Sequence, residues 1–392
     1  MSYKVCYVTT LPVTLKNFVL KSALHNMAEG DWEVTFICNR TPGFEEELPE
    51  SIRYIPVTLK RGVSLSGFQS VVELYRIFKK EKFDLVQYST SNAGCYASLA
   101  AKMAGIPIRL YCQWGLDYIY FKGLKRLMFE SVERLICKCS THVQPDSHGN
   151  LEISYQEKLY DEKKGSVIGY GSASGVDLER FDCTRREEWR NEIRKKYEIP
   201  EETYVFGYVG RLLRDKGLNE LFTATKALLK EQRDFKLMLI GGTDIVEGLD
   251  KELYSWATTS ENVIFTGFTT EAEKYYAALD CFVLPSYHEG FGTSTIEAEA
   301  MGIPVIVSDI PGPREAIAGE KTGIFVKSRD AESLRAAMER LYLDRELGKK
   351  FGDAGIRYVR ERFEQNTLFE KIYENRKELL RKASSKKNKN RK

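Results

Sequence analysis

The sequence predicts an α/β protein built from two doubly wound parallel-sheet domains. Short β-branched runs alternate with helical patterns along the whole chain, which is the signature of strand–helix–strand units. Each half has the length and strand count of one such domain, and 392 residues leave room for two or three domains. With 43% apolar and 29% charged residues the composition is that of a soluble globular chain. A net charge of +3 is close to balance and argues against wholesale nucleic-acid binding.

In the first half, strands are expected at 4–9, 33–38, 83–88, 108–111 and 166–168, with helices at 15–29, 68–80, 93–104 and 123–139. In the second half, strands are expected at 204–209, 236–240, 263–266, 281–284, 305–307 and 324–326, again with helices between. The polar stretch 169–202 separates a first domain, 1–175, from a second, 200–360, because Gly171-Ser172-Ala173-Ser174-Gly175 gives way to the charged segment 185–197. Residues 331–382 read as almost wholly helical, and the last part, 365–381, is expected to cross back onto the first domain. Two such domains facing each other across a cleft would line it with both sets of strand carboxyl ends. The last twelve residues carry seven Lys and Arg and no acid. Two readings stand for 382–392: a disordered solubilising tail, or a contact with an anionic membrane surface.

Eight cysteines are scattered without a CxxC pair, and four histidines are too few to complete a zinc site, so no metal is expected. Cys6, Cys38, Cys112 and Cys281 lie in apolar strand-like runs and read as buried, reduced thiols. The chain opens on a strand with no signal peptide, and no apolar run reaches transmembrane length, so a cytoplasmic location is expected.

The most informative stretch runs from Ser286 to Gly302, between two apolar strands. Gly290 and Gly292 allow close backbone approach, and Thr293 or Ser294 can cap the helix that follows. Such a strand–glycine loop–helix unit aims backbone N–H groups at the strand's carboxyl end, where phosphates and sugar oxygens bind. Glu289 precedes the loop and Glu297 lies one turn into the helix, so both can face one crevice. Carboxylates accept well from vicinal hydroxyls. The alternative is that Glu297 and Glu299 are solvated charges favoured by the helix dipole.

A second strand–loop–helix unit reads Gly210-Arg211-Leu212-Leu213-Arg214-Asp215-Lys216-Gly217. Cations ahead of a helix N-terminus are disfavoured by the dipole, so three together suggest a bound anion, against the alternative of exposed loop charges. Arg supplies a fork and Lys a mobile point charge, a pair suited to a diphosphate. No Walker A, GxGxxG or DxD sequence occurs, so the leaving charge would be met by Arg211, Lys216 and backbone amides without a metal. Gly241-Gly242 after a strand is a weaker signal, compatible with a tight turn or with approach to a nucleotide.

These segments, together with Ser308-Asp309-Ile310-Pro311-Gly312-Pro313-Arg314-Glu315, resemble the retaining glycosyltransferases of family 4. In the first half, the segments 9–16, 100–107, 123–126 and 175–181 are similar to the branch that builds bacterial capsule and O-antigen repeats. The resemblance implies the GT-B fold of two Rossmann-like domains and a nucleotide sugar, UDP-linked on family grounds, as co-substrate, with no cofactor and no metal. It implies that Arg211 and Lys216 hold the donor diphosphate and that Glu297 binds the ribose. Glu289 and the amides of Gly290, Phe291, Gly292 and Thr293 would contact the donor sugar and phosphate, beside Gly210. Arg211, Lys216 and Glu289 are therefore the expected catalytic set. One departure stands out: Trp114 occupies the place where the family has a His near the reacting centre. In retention by same-face displacement a leaving phosphate oxygen can take the acceptor proton, so no protein base is required.

The first domain is expected to carry the acceptor, a polyprenyl-diphosphate-linked sugar or another glycan. Lys16 is a candidate for an acceptor phosphate, Trp114 for stacking on a sugar face and Asp117 for its hydroxyls, with core packing the alternative for Trp114. His288, next to the donor loop, is the fairest functional histidine. The segment 118–138 mixes Tyr120, Phe121, Leu124, Leu127 and Met128 with Lys122, Lys125 and Arg126, as an interfacial helix on an anionic membrane would. The alternative there is an ordinary amphipathic helix of the fold. Two rival functions remain at this level: a nucleotide-sugar 2-epimerase of similar architecture, and a non-catalytic binding subunit, the latter motivated by Trp114.

Overall fold

The computed structural model describes residues 2–60, 65–242 and 248–389, without the side chains of 65–66, 117 and 386–389. The chain divides into two units, one of residues 1–174 with 366–392 and the other of 175–365.

The first unit holds β1 (Tyr3–Val8), α1 (Pro12–Phe18), α2 (Leu20–Glu29), β2 (Trp32–Cys38), β3 (Ile52–Pro56), α3 (Leu65–Glu81), β4 (Leu85–Ser89), α4 (Ser91–Ala104), β5 (Ile108–Gln113), α5 (Gly123–Cys139), β6 (His142–Pro145) and α6 (His148–Gln156). Its six strands pair in parallel in the order β3-β2-β1-β4-β5-β6, the doubly wound arrangement that reverses beside β1. Alternation along β1 sorts its side chains between two cores. Cys6 and Val8 join one with Tyr88, Ala97 and Ile136, whereas Val5 and Tyr7 join the other with Phe36 and Leu85.

The second unit holds α7 (Arg186–Lys196), β7 (Tyr204–Val209), α8 (Leu218–Lys230), β8 (Phe235–Ile240), α9 (Lys251–Thr259), β9 (Val263–Gly267), α10 (Ala272–Ala277), β10 (Cys281–Leu284), α11 (Thr293–Ala300), β11 (Val305–Ser308), α12 (Pro313–Ala316), β12 (Gly323–Val326), α13 (Ala331–Leu343) and α14 (Arg345–Arg362). The order β12-β11-β10-β7-β8-β9 repeats the first sheet's topology. The last helix, α15 (Gln365–Lys389), places Leu380 and Tyr373 in the first unit's core. Tyr373 stacks on Trp32 and donates to the Glu29 carbonyl at 2.7 Å.

Several expectations are corrected. Residues 166–168 form no strand, only a bridge from Gly165 to Val143, and the edge strands β3 and β6 take the outer places. Both end on Pro, which lacks the N–H a central strand needs and which conceals an edge strand from pattern reading. The single helix expected at 15–29 is two, broken at Val19 (φ −121°). The second unit begins at Gly175 rather than 200. The charged segment 185–197 is not a linker, because its arginines face inward on α7. Arg194 is buried, pairs with Asp280 at 2.7 Å and donates to the carbonyls of Pro200, Glu201 and Thr203. The segment 382–389 is helical rather than disordered, supported by Lys382–Glu378 one turn apart; 390–392 lie outside the described residues. Every cysteine is free, and all but Cys183 are buried.

Candidate active site

In the second sheet β7 lies between β10 and β8, so the strand order reverses there and the loops after β7 and β10 meet at their carboxyl ends. Glycine makes that meeting possible. Gly217 (φ +75°) ends the loop after β7, and a Cβ there would lie 2.0 Å from the Pro285 carbonyl oxygen. Gly312 (φ +88°) likewise lets the loop before α12 rest on Gly290, whose oxygen is 2.5 Å from a Cβ built at 312. Tyr287 N–H donates to the Asp215 carbonyl at 2.8 Å, tying one loop to the other.

The junction brings Lys216 and Glu289 together. Lys216 Nζ lies 2.8 Å from Glu289 Oε1, with 13% and 17% of the two side chains exposed. Ser286 Oγ donates to the same oxygen at 2.8 Å. Beside them His288 Nε2 pairs with Asp215 at 3.0 Å, and that bond holds the Asp215 carboxyl below its ordinary range. Arg211 has an exposed side chain on the same loop, its backbone carbonyl held by the Tyr208 hydroxyl at 2.8 Å. Its field reaches both Asp215 and Tyr208, so it stands near the pair without touching it.

Helices α8 and α11 both start at glycines of positive φ, Gly217 and Gly292 (+90°), without a side-chain cap. The cap expected from Thr293 or Ser294 is therefore absent, because Gly292 takes the cap position. Uncapped first-turn N–H groups at this point suit an oxyanion. Phe291 turns its ring into the core against Phe363, centroids 5.2 Å apart, which leaves only its backbone on the loop. Gly210 (φ +150°) packs against the Tyr208 hydroxyl.

Glu297 is half-buried on α11, where burial pushes its carboxyl up to about 7. The Tyr276 hydroxyl lies 3.0 Å from Glu297 Oε2 and from the Ser294 carbonyl. Glu297 thus forms a second cluster, not in contact with Lys216 and Glu289. Glu299 is wholly buried, and burial drives its carboxyl well above the usual range. Neither acid is a solvated helix charge. Reading the sequence missed Tyr276, the role of Ser286 and the pairing of Asp215 with His288; Ser286, Asp215 and His288 stand beside the glycine loops, whereas Tyr276 on α10 carries no such local signal.

The first-unit candidates are dispersed. Lys16 is exposed and paired with Glu47 at 2.7 Å. Trp114 is half-buried and packs on Phe18, centroids 5.5 Å apart. Asp117 opens a short 3-10 turn, and its side chain lies outside the described residues.

Residues 4–147 match the model of the family described as glycosyl transferase 4-like, and residues 190–358 that of glycosyl transferases group 1. The chain is 29% identical over 318 residues to the capsular polysaccharide biosynthesis glycosyltransferase CapM of Staphylococcus aureus, covering 81% of this chain and 82% of that one. It is 27% identical over 361 residues to the UDP-Gal:alpha-D-GlcNAc-diphosphoundecaprenol alpha-1,3-galactosyltransferase of Escherichia coli, covering 88% and 89%. The crystal structure of Anabaena HepE in complex with UDP-glucose superposes with a TM-score of 0.78 at 17% identity, over 96% of this chain and 99% of that one. With two sheets of one topology, glycine-led helices at the second sheet's switch point and both family models matched, this chain belongs to the family 4-like glycosyltransferases of GT-B fold.

Proposed function

We propose that the chain is a retaining, metal-independent transferase that moves a sugar from UDP to a polyprenyl-diphosphate-linked sugar in cell-surface polysaccharide synthesis. The observation that carries this reading is the Lys216–Glu289 pair, set beside two uncapped glycine-led helix starts at the β7/β10 switch point. In this reading Lys216 and Arg211 meet the diphosphate, and their charges stabilise the leaving group as it departs. Lys216 leaves Glu289 for phosphate, freeing Glu289 Oε1 to accept from a donor-sugar hydroxyl. Glu297 accepts from the ribose. The leaving phosphate oxygen takes the acceptor's proton as the new bond forms on the same face, which retains configuration and needs no base at Trp114. The donor and acceptor classes follow the Escherichia coli relative, whose name states a UDP-sugar and a diphosphoundecaprenol-linked acceptor.

The acceptor class also gives a role to α5. Leu124, Leu127 and Met128 form one stripe there, 83%, 60% and 50% exposed, flanked by the exposed Lys122 and Lys125. In this reading that stripe rests among anionic headgroups at the inner face of the cytoplasmic membrane. Among the described residues no helix is long and apolar enough to cross a membrane.

The test is UDP release from UDP-sugars on addition of bacterial lipid extract, with product anomeric configuration read by NMR and chelator added in parallel. Lys216→Ala should lower kcat/KM by roughly 10²–10³-fold. An inverted product, loss of turnover with chelator, or epimer formed from donor alone would each overturn the corresponding part of the reading.

A further inference from the structure

The proposed chemistry asks Lys216 to leave Glu289 for the diphosphate. Once it has left, that 2.8 Å pair no longer ties the loop after β7 to the loop after β10. Some other contact must then keep the Lys216 ammonium on the donor, because a charge stabilises a leaving group only where it is held in place.

Tyr287, two residues before Glu289, makes that contact. Its hydroxyl lies 2.8 Å from Glu220 Oε1 and 2.9 Å from Glu220 Oε2, so one O–H is shared by both oxygens of the carboxylate. Glu220 stands in the first turn of α8, where the helix dipole favours a negative charge. The Tyr287 N–H donates to the Asp215 carbonyl at 2.8 Å. Tyr287 therefore grips residues 215 and 220 together, and Lys216 lies between them, at the end of the 3-10 turn Arg214–Lys216. Burial, with Glu220 beside it, pushes the Tyr287 hydroxyl up to about 12, so it stays a donor at any ordinary pH.

The ring is itself held. The Arg329 guanidinium sits over it, 4.5 Å from the centroid, in a cation–π contact. Arg329 lies in the loop after β12 and has φ +62°, a left-handed backbone that a non-glycine residue adopts only at a cost. Neither the Lys216 ammonium nor the Glu289 carboxylate takes part in these contacts, so they survive when the donor separates that pair. We propose that Tyr287 is the positioning residue that keeps Lys216 aimed at the diphosphate, acting through the Glu220 carboxylate and the start of α8. The proposal rests on the transferase reading and adds to it a side chain outside the charged set.

The test is a double-mutant cycle in the full chain, with UDP affinity read by calorimetry and donor kcat/KM by UDP release. Tyr287→Phe keeps the ring under Arg329 and loses only the hydroxyl. Its melting temperature should fall by no more than about 4 °C. UDP affinity and donor kcat/KM should fall about tenfold, with acceptor KM in place. Glu220→Leu should reproduce that loss, and combining it with Tyr287→Phe should be no worse than either alone. Glu220→Gln, which keeps an acceptor for the phenol, should escape most of it. In a Lys216→Ala background Tyr287→Phe should cost nothing further, a result that general loosening of the fold would not reproduce. A tenfold loss in both backgrounds, or none in the wild-type background, overturns the proposal. Wild-type protein that binds UDP without turnover under any donor sinks the transferase reading alone, since the cycle is still read from UDP affinity. Wild-type protein that binds no UDP sinks both.

Discussion

Glu297 holds its proton to about pH 7 in the folded chain, against an ordinary value of 4.5, because burial disfavours the charged carboxylate. Folding therefore gains from this group below roughly pH 4.5 and loses that gain as pH rises through 7. Glu297→Gln removes the titration, so its melting temperature relative to wild type should be higher at pH 8 than at pH 5, as thermal unfolding would show. The proposed role of Glu297, accepting from a ribose hydroxyl in its ionised form, would also make nucleotide binding pH-dependent. UDP affinity should rise roughly tenfold from pH 6 to pH 8, in step with ionisation, and Glu297→Gln should flatten the profile. Calorimetric titrations with equal affinity at both pH values would remove Glu297 from the nucleotide site. The sequence placed Glu297 near the crevice, but its titration depends on burial, which is decided by packing, as is the Tyr276 hydroxyl brought to it from α10.

At the scale of elements, the site depends on how closely two loops can approach. Gly217→Ala combines positive φ with a clash against the Pro285 carbonyl and should cost about 2–4 kcal/mol. Gly267 is the control: its φ is +75° as well, yet a Cβ there meets nothing within 4 Å. Gly267→Ala should cost about 1 kcal/mol, and equal losses in the two variants, read by denaturant unfolding, would mean that contact at Pro285 does not matter. On α5, replacing Leu124, Leu127 and Met128 by Ser removes an apolar stripe that belongs to neither core of its unit. Sedimentation with anionic vesicles should fall severalfold while the melting temperature stays within about 2 °C. Wild-type binding should weaken with salt, and equal recovery on neutral and anionic vesicles would count against the membrane role. Gly290, Gly292 and the exposed cations of α5 were visible in the sequence because such residues break local expectation. Edge strands β3 and β6 were hidden, since a short strand ending in Pro looks like a turn.

At the scale of the molecule, α15 returns to complete the first unit. Ending the chain at residue 365 strips Leu368, Phe369, Tyr373 and Leu380, all buried, from that unit. At about 1.5–3 kcal/mol per large apolar side chain, the loss matches the roughly 5–15 kcal/mol that holds a domain folded. Calorimetry of the truncated chain should lose one transition and keep another, because the second unit's core contains no residue of α15. Retention of both transitions would show that α15 is dispensable. From the amino-acid order alone came the class of fold, the two halves and the glycine and cation motifs of the loops after β7 and β10, since each is written in neighbouring residues. Folding alone decided that Lys216 would meet Glu289, that Glu297 would lie beside Tyr276, and that Arg376 would reach Gln87 nearly three hundred residues upstream. Such pairings follow from strand order and helix packing, which bring distant parts of the chain into contact and leave no trace in local spacing.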